Sequence, residues 1–187
     1  MKHLHHPLVE SVTFQLVTSS VDHASLVVPL LDEYNGATAC ELVVVASALQ
    51  AVAIIHQASH WTASGDPFHG DHLLFERVYN PIPEQVDRLV EKAVGLGGGE
   101  LVSPVVMMQH AAMFASVMAS VGFRMPNSSE LARRSFEAEM HFMGFADALL
   151  ASFATAGGMT LGVENMLGEI MDQHEKSVYL LKQRVTG

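Results

Sequence analysis

The sequence predicts an all-α domain in which four long helices form a bundle, with a short extra helix in the connection between the second and third. Apolar residues make up 49% of the 187-residue chain and charged residues 16%, which is enough for one well-buried core. Glycine and proline are concentrated in short segments, and the stretches between these segments are far longer than strands. The apolar share exceeds that of a typical soluble monomer, so we expect part of it to contact another subunit.

The first long helix is predicted over Ala37–Thr62, which contains neither proline nor glycine and consists of apolar residues and good helix formers. The segment Gly65–Pro67 ends it, and its proline suits the start of a second helix over Phe68–Gly95. Two prolines lie inside this second helix. Each costs about 3 kcal/mol in a helix interior, so we expect a local break over Asn80–Pro83.

Three further helices follow the glycine run at residues 95–99. A short, Met-rich helix is predicted over Pro104–Val121, with Ser103 as its cap. Polar residues at 127–129 precede a third long helix that reaches Thr155, and the last long helix spans Gly162–Arg184. Four long helices with a long connection between the second and third form the ferritin-like arrangement.

Residues 1–34 are predicted to be an N-terminal extension to a single domain of residues 35–187. The pattern at Val9–Val17 favours an extended arm, and Asp22–Leu31 favours a short helix. A free amino terminus with histidine at position three can chelate Cu(II) or Ni(II) through backbone nitrogens. The candidates for this secondary metal capture are His3, His5 and His6.

The formal net charge is −10, from 20 acidic and 10 basic residues. DNA binding through a broad basic surface is therefore not expected, and metal cations are more natural ligands. The single cysteine, Cys40, cannot form an internal disulfide, and the N-terminus has no signal-peptide pattern, so we expect a cytoplasmic protein. Apolar stretches at Leu42–Ile55 and Val102–Phe123 are interrupted by polar residues or proline, and no membrane span is expected.

Five candidate metal ligands lie close together in the sequence. They are His60, His72, Glu76, Asp87 and Glu91. Imidazole nitrogen combined with carboxylate oxygen suits iron, manganese or zinc, whereas a site of oxygen alone suits magnesium or calcium. His56 shares a helix face with His60, but its spacing favours packing or hydrogen bonding over a role as a ligand.

The spacing of these residues predicts two half-sites on different subunits. His72 and Glu76 are four residues apart, as are Asp87 and Glu91, so each pair shares one helix face. The two pairs are separated by about 22 Å along a straight helix, whereas metal–ligand distances are about 2 Å. His60 can approach His72 across the turn. If both half-sites bind one metal centre, the simplest arrangement is a two-fold interface between subunits. Each centre then takes one half-site from each subunit, and the dimer has two centres.

The same residues resemble the signature of the Dps miniferritins, the DNA-protection-during-starvation branch of the ferritin-like proteins. The resemblance covers residues 37–185 and rests on His60-Trp61, Gly65, Phe68, His72, Glu76, Val86-Asp87, Glu91, Leu96-Gly97, His174-Glu175-Lys176 and Leu180-Leu181. It implies a dodecameric shell that oxidises Fe(II) with hydrogen peroxide or dioxygen at inter-subunit ferroxidase centres. It also implies storage of Fe(III) mineral inside the shell and protection against oxidative stress.

The resemblance places all five candidates at the ferroxidase centre, with iron as the metal and no haem expected. His60, His72 and Glu76 of one subunit would face Asp87 and Glu91 of its neighbour. Carboxylates stabilise Fe(III) more than Fe(II), so they favour electron transfer, while the histidines hold the reduced ion. Trp61, beside the site, is a candidate for quenching one-electron leakage.

The sequence departs from the family pattern in three places. Pro81 and Pro83 interrupt the second helix between the half-sites. The family's Gly-Asp-x-x-Thr-x-Asp motif is replaced by residues 159–165, which lack both aspartates, so Glu164 is the candidate substitute at the pore where iron enters. No lysine-rich tail is present, which also argues against DNA binding.

Two alternatives remain open from the residues. One is a structural or nucleoid-associated shell without ferroxidase turnover, and the other is a shell that binds zinc or copper. Copper is suggested by the methionines around His110, although such a stripe at helical spacing is usually adaptable core. Neither of the last two long helices contains a Glu-x-x-His pair, so a di-iron site within one bundle is not expected.

Overall fold

The structure is a computed structural model that describes residues 38–97, 99–119, 126–156 and 159–186. The expectations for the N-terminal extension, including His3, His5 and His6, lie outside the described residues. Within the described ranges the chain forms six α-helices and one 3-10 turn. They are α1 Thr38–Thr62, α2 Phe68–Tyr79, α3 Ile82–Gly95, the 3-10 turn Gly99–Leu101, α4 Pro104–Met118, α5 Ser128–Ala156 and α6 Leu161–Thr186.

The predicted second long helix is broken between α2 and α3, as its two prolines require. Asn80 and Pro81 both keep right-handed helical backbone angles, with φ and ψ of −55° and −36° at Asn80 and −74° and −21° at Pro81. The Asn80 amide still donates to the Glu76 carbonyl at 3.1 Å. The break therefore interrupts the hydrogen-bond ladder without reversing the chain, and α2 and α3 both pack against α1.

The other predicted boundaries follow from local signals. Asn127 and Glu130 form a reciprocal cap at the start of α5, because the Glu130 amide donates to Asn127 Oδ1 at 3.0 Å and the Asn127 amide donates to Glu130 Oε2 at 2.8 Å. The predicted end of α4 at Val121 is wrong. The helix ends at Met118, because Ala119 already has an extended backbone, and the apolar sequence there carries no stop signal.

Helix α1 is the central helix of the bundle. It packs against α3, α4, α5 and α2, and almost every residue from Ala39 to Leu49 is buried. By length and composition alone α1 could cross a membrane, but 78% of its most apolar 18-residue window is buried inside the protein. Its first half is buried all round because neighbouring helices cover every face there.

One end of the bundle is held by a buried ion pair. The Asp71 carboxylate at the start of α2 accepts hydrogen bonds from Arg184 Nε at 2.6 Å and Arg184 Nη2 at 3.2 Å, near the end of α6. Ser128, the first residue of α5, donates to the same carboxylate. The bond to Asp71 is the main reason why the pKa of Arg184 is raised. Three helix ends therefore meet at the end of the bundle where α1 also ends.

Candidate metal centre

His60 and His72 lie against each other across the turn between α1 and α2. Gly65 makes this turn possible, since its φ of 79° is a conformation that favours glycine. The two imidazole rings are stacked with centroids 3.6 Å apart and planes inclined by 24°. The structure therefore brings together the two histidines whose proximity the spacing predicted.

Each histidine is fixed by the other's backbone. His60 Nδ1 donates to the His72 carbonyl at 2.9 Å, and His72 Nδ1 donates to the His60 carbonyl at 3.2 Å. A carbonyl oxygen only accepts, so Nδ1 carries the hydrogen on both rings. In a neutral imidazole the Nε2 atom then keeps its lone pair, which is the arrangement found in metal-binding histidines whose other nitrogen bonds a carbonyl. Each ring therefore keeps one Nε2 lone pair with which it can bind a cation.

Glu76 and Tyr79 extend the face of α2 that carries His72. Glu76 follows His72 by one helical turn, and Tyr79 follows Glu76 by three residues. The Tyr79 ring meets the His60 ring edge to face, with centroids 5.4 Å apart. The contact with Tyr79 was not anticipated from the sequence, although the helical spacing of His72, Glu76 and Tyr79 contained the signal.

The acidic pair lies on the exposed face of α3. Asp87 and Glu91 are both exposed, and neither makes an ion pair within the described residues. Arg88, which lies between them in sequence, donates instead to Glu169 on α6 at 2.6 Å. Its charge is therefore directed away from the acidic pair, and the two carboxylates remain open to an external cation.

One subunit does not assemble the five candidates into a single site. Among the described residues, no group of three or more His, Cys, Asp or Glu side chains is placed to hold a metal ion. The structure joins His60 to His72 and leaves Asp87 and Glu91 on the exposed face of α3. The sharing of one centre between two subunits stays a prediction.

Apolar side chains surround the histidine pair on the surface. Trp61 is 65% exposed, and Phe68 and Leu73 are exposed as well. Phe68 also contacts the His72 ring, with centroids 5.1 Å apart. Clustered exposed apolar groups around polar ligands are typical of a surface that another protein covers.

A second polar cluster lies inside the bundle and was not predicted from the sequence. Glu139 on α5 is fully buried and accepts from His56 Nε2 on α1 at 2.8 Å and from His174 Nδ1 on α6 at 2.6 Å. His174 Nε2 also donates to Gln85 Oε1 on α3 at 3.0 Å. This interior network joins four helices, and it gives His56 the hydrogen-bonding role that its spacing favoured.

The interior network stabilises the buried carboxylate of Glu139. Burial raises the pKa of Glu139, but the charges of His174 and His56 and their hydrogen bonds outweigh burial and lower the pKa to about 2. Both nitrogens of His174 are hydrogen-bonded, one to Glu139 and the other to the side-chain oxygen of Gln85. His56 uses only its Nε2 atom in this network, and its Nδ1 has no hydrogen-bond partner among the described residues.

The helix order and the long connection between α3 and α5 define a ferritin-like four-helix bundle with a short crossover helix. A solved structure shows the same architecture, the X-ray structure of Dps from Thermosynechococcus elongatus, with a TM-score of 0.67 over 79% of this chain and 89% of that chain. The two sequences are 16% identical, so the likeness concerns the fold. No family model and no curated protein matches the sequence. The predicted Dps-like, ferritin-like fold is confirmed.

Proposed function

We propose that this protein is an iron-oxidising and iron-storing miniferritin of the cytoplasm. It oxidises Fe(II) with hydrogen peroxide or dioxygen at centres shared between subunits, and it holds Fe(III) inside a hollow homo-oligomeric shell, a dodecamer by analogy with the family. The observation that carries this proposal is the reciprocal bonding of His60 and His72, which leaves both Nε2 atoms ready to bind a cation. The Dps-like fold supports it.

The chemistry follows from the two kinds of ligand. The paired imidazoles bind Fe(II), which prefers nitrogen more than Fe(III) does. When Asp87 and Glu91 of a second subunit close over the ion, their negative charge stabilises Fe(III) and favours release of the electron. The exposed Trp61, Phe68 and Leu73 supply apolar surface for that contact. Iron is the substrate and the stored cargo in this scheme.

The test is stopped-flow measurement of Fe(III) formation after apo-protein is mixed with Fe(II) and substoichiometric hydrogen peroxide. We expect Asp87→Ala to slow the reaction at least about tenfold, since weakening even the outer support of a metal ligand has that effect. The matched control is Glu84→Ala, which removes an exposed carboxylate from the same helix and should react as the wild type does. Equal rates for Asp87→Ala and wild type would remove the assignment of the acidic half-site.

A zinc-binding shell is the second candidate, because imidazole Nε2 atoms and carboxylates also suit Zn(II). In the same assay, tight binding of Zn(II) with no oxidation of Fe(II) by the wild type would favour this candidate over the ferroxidase. A nucleoid-associated shell has less support, since the net charge of −10 opposes contact with DNA phosphates.

A further inference from the structure

Tyr79 is the aromatic side chain in contact with the histidine pair that carries oxidisable chemistry. It is partly buried at the last turn of α2, on the face that also carries His72 and Glu76. Its ring meets the His60 ring edge to face at 5.4 Å. An electron leaving the phenol would therefore cross one ring contact to reach a metal ligand.

The other aromatic candidates are less well placed. Trp61 follows His60 directly in sequence, but it is 65% exposed and makes no ring contact with His60 among the described residues. Tyr179 on α6 is 62% exposed and has no ring contact with the pair. A side chain in water is open to side reactions of its radical, whereas Tyr79 is shielded by the bundle on one side.

We infer that Tyr79 is the electron donor that supplies the second electron to peroxide when a single Fe(II) occupies the centre. The inference rests on the proposed function and adds a residue to it. Reduction of hydrogen peroxide to water takes two electrons, and one Fe(II) provides one. With a second electron from Tyr79, the peroxide O–O bond breaks to give two water molecules and no free hydroxyl radical.

The step balances in atoms and charge. Fe(II), the Tyr79 phenol, one hydrogen peroxide and one proton give Fe(III), the Tyr79 phenoxyl radical and two water molecules. The phenolic hydrogen and the added proton both end in water. A further Fe(II) then returns the radical to phenol by giving it one electron, with one proton taken from solvent, and becomes Fe(III). Tyr79 is restored, and two Fe(II) ions have been oxidised for each peroxide.

The test uses freeze-quench electron paramagnetic resonance on the assembled protein, loaded anaerobically with one Fe(II) per centre and mixed with one equivalent of hydrogen peroxide. The wild type should show a tyrosyl radical, and Tyr79→Phe should lose it. A spin trap for hydroxyl radical should capture several-fold more adduct from Tyr79→Phe than from the wild type. Phenylalanine keeps the ring that packs on His60 and removes only the hydroxyl.

The matched control is Tyr179→Phe, which should keep both the radical signal and the low adduct yield. Survival of the signal in Tyr79→Phe, or its loss in Tyr179→Phe, overturns the assignment of the donor to Tyr79. If the wild type oxidises Fe(II) without any tyrosyl radical, the role of Tyr79 fails and the ferroxidase stands. If the wild type does not oxidise Fe(II) at all, the proposed function fails first.

Discussion

Glu41 lies in the first turn of α1 with its side chain 1% exposed. Neither carboxylate oxygen has a hydrogen-bond partner among the described residues. A helix N-terminus favours a negative charge, but burial outweighs this effect and raises the pKa of Glu41 to about 7. Near neutral pH this side chain therefore changes between a neutral acid and a buried anion.

The pH dependence of stability should reveal this group. Below pH 4.5, the ordinary pKa of glutamate, both the folded and unfolded chains hold the proton. As the pH rises from there through about 7, the unfolded chain loses its proton first, so the free energy of unfolding falls by up to about 3 kcal/mol. We expect Glu41→Gln to remove this fall, measured by urea unfolding between pH 5 and pH 8 at constant protein concentration.

The control for this measurement is Glu84→Gln, which changes an exposed glutamate and should keep the wild-type pH profile. A profile of Glu41→Gln that runs parallel to that of the wild type would contradict the burial argument.

Some contacts between individual residues could be predicted from the sequence, and others could not. The proximity of His60 and His72 could be predicted, because the turn between them is short and both lie at helix ends. The contact between His56 and Glu139 could not, since these residues are 83 positions apart and neither stands in a recognisable motif. The contact between Tyr79 and His60 was not predicted, because it depends on the geometry of the turn between α1 and α2.

At the scale of the helices, the interior network is the main polar connection within the bundle. The Glu139 carboxylate on α5 joins His56 on α1 and His174 on α6 directly, and His174 extends the network to Gln85 on α3. Removing one partner of a buried ion pair costs about 3–5 kcal/mol, because the remaining charge is left uncompensated in a poorly polar interior. The packing of these helices therefore depends on the partners of the Glu139 carboxylate.

We expect His174→Gln to lower the free energy of unfolding by about 3 kcal/mol at pH 7. Without the charge and the hydrogen bond that His174 contributes, burial raises the pKa of Glu139 again. The loss should therefore shrink as the pH falls towards 4 and the carboxyl takes up a proton. Urea unfolding at pH 7 and pH 4 measures both effects. His69→Gln, a substitution of an exposed histidine, serves as the control. A deficit that is the same at both pH values would show that packing, and not charge, is responsible.

Helix boundaries were the most predictable part of the fold. Proline, glycine and capping residues mark the start or end of α2, α3, α4 and α5, and these local preferences act whatever the helices pack against. The end of α4 was missed because residues 119–121 contain neither proline nor glycine. Which helix faces meet depends on the whole bundle, and no local signal specifies it.

At the scale of the assembly, the proposal that each centre is shared between two subunits predicts how mixed shells behave. We expect His60→Ala and Asp87→Ala each to abolish most Fe(II) oxidation, whereas shells assembled from both variants should recover part of it. In a mixed pair, one centre contains both defects and the other contains neither. Random mixing at equal amounts should therefore give about a quarter of the wild-type rate.

The measurement is the stopped-flow assay applied to co-assembled protein, with the two variants mixed after separate assembly as the control. Recovery only on co-assembly supports a centre shared between subunits. If shells of normal size show no recovery, the centre is not shared between subunits. Either one subunit supplies all five ligands, or none of the five lies at the centre.

The burial of the first half of α1 also affects how the chain is made. Its apolar surface is covered by α3, α4 and α5, and the last residue of α5 is Ala156. At the usual speed of protein synthesis, on the order of 10 s pass between translation of α1 and translation of the end of α5. During that time the most apolar segment of the described chain has no complete partner surface, so the nascent protein is exposed to aggregation and is a natural client for chaperones acting at the ribosome.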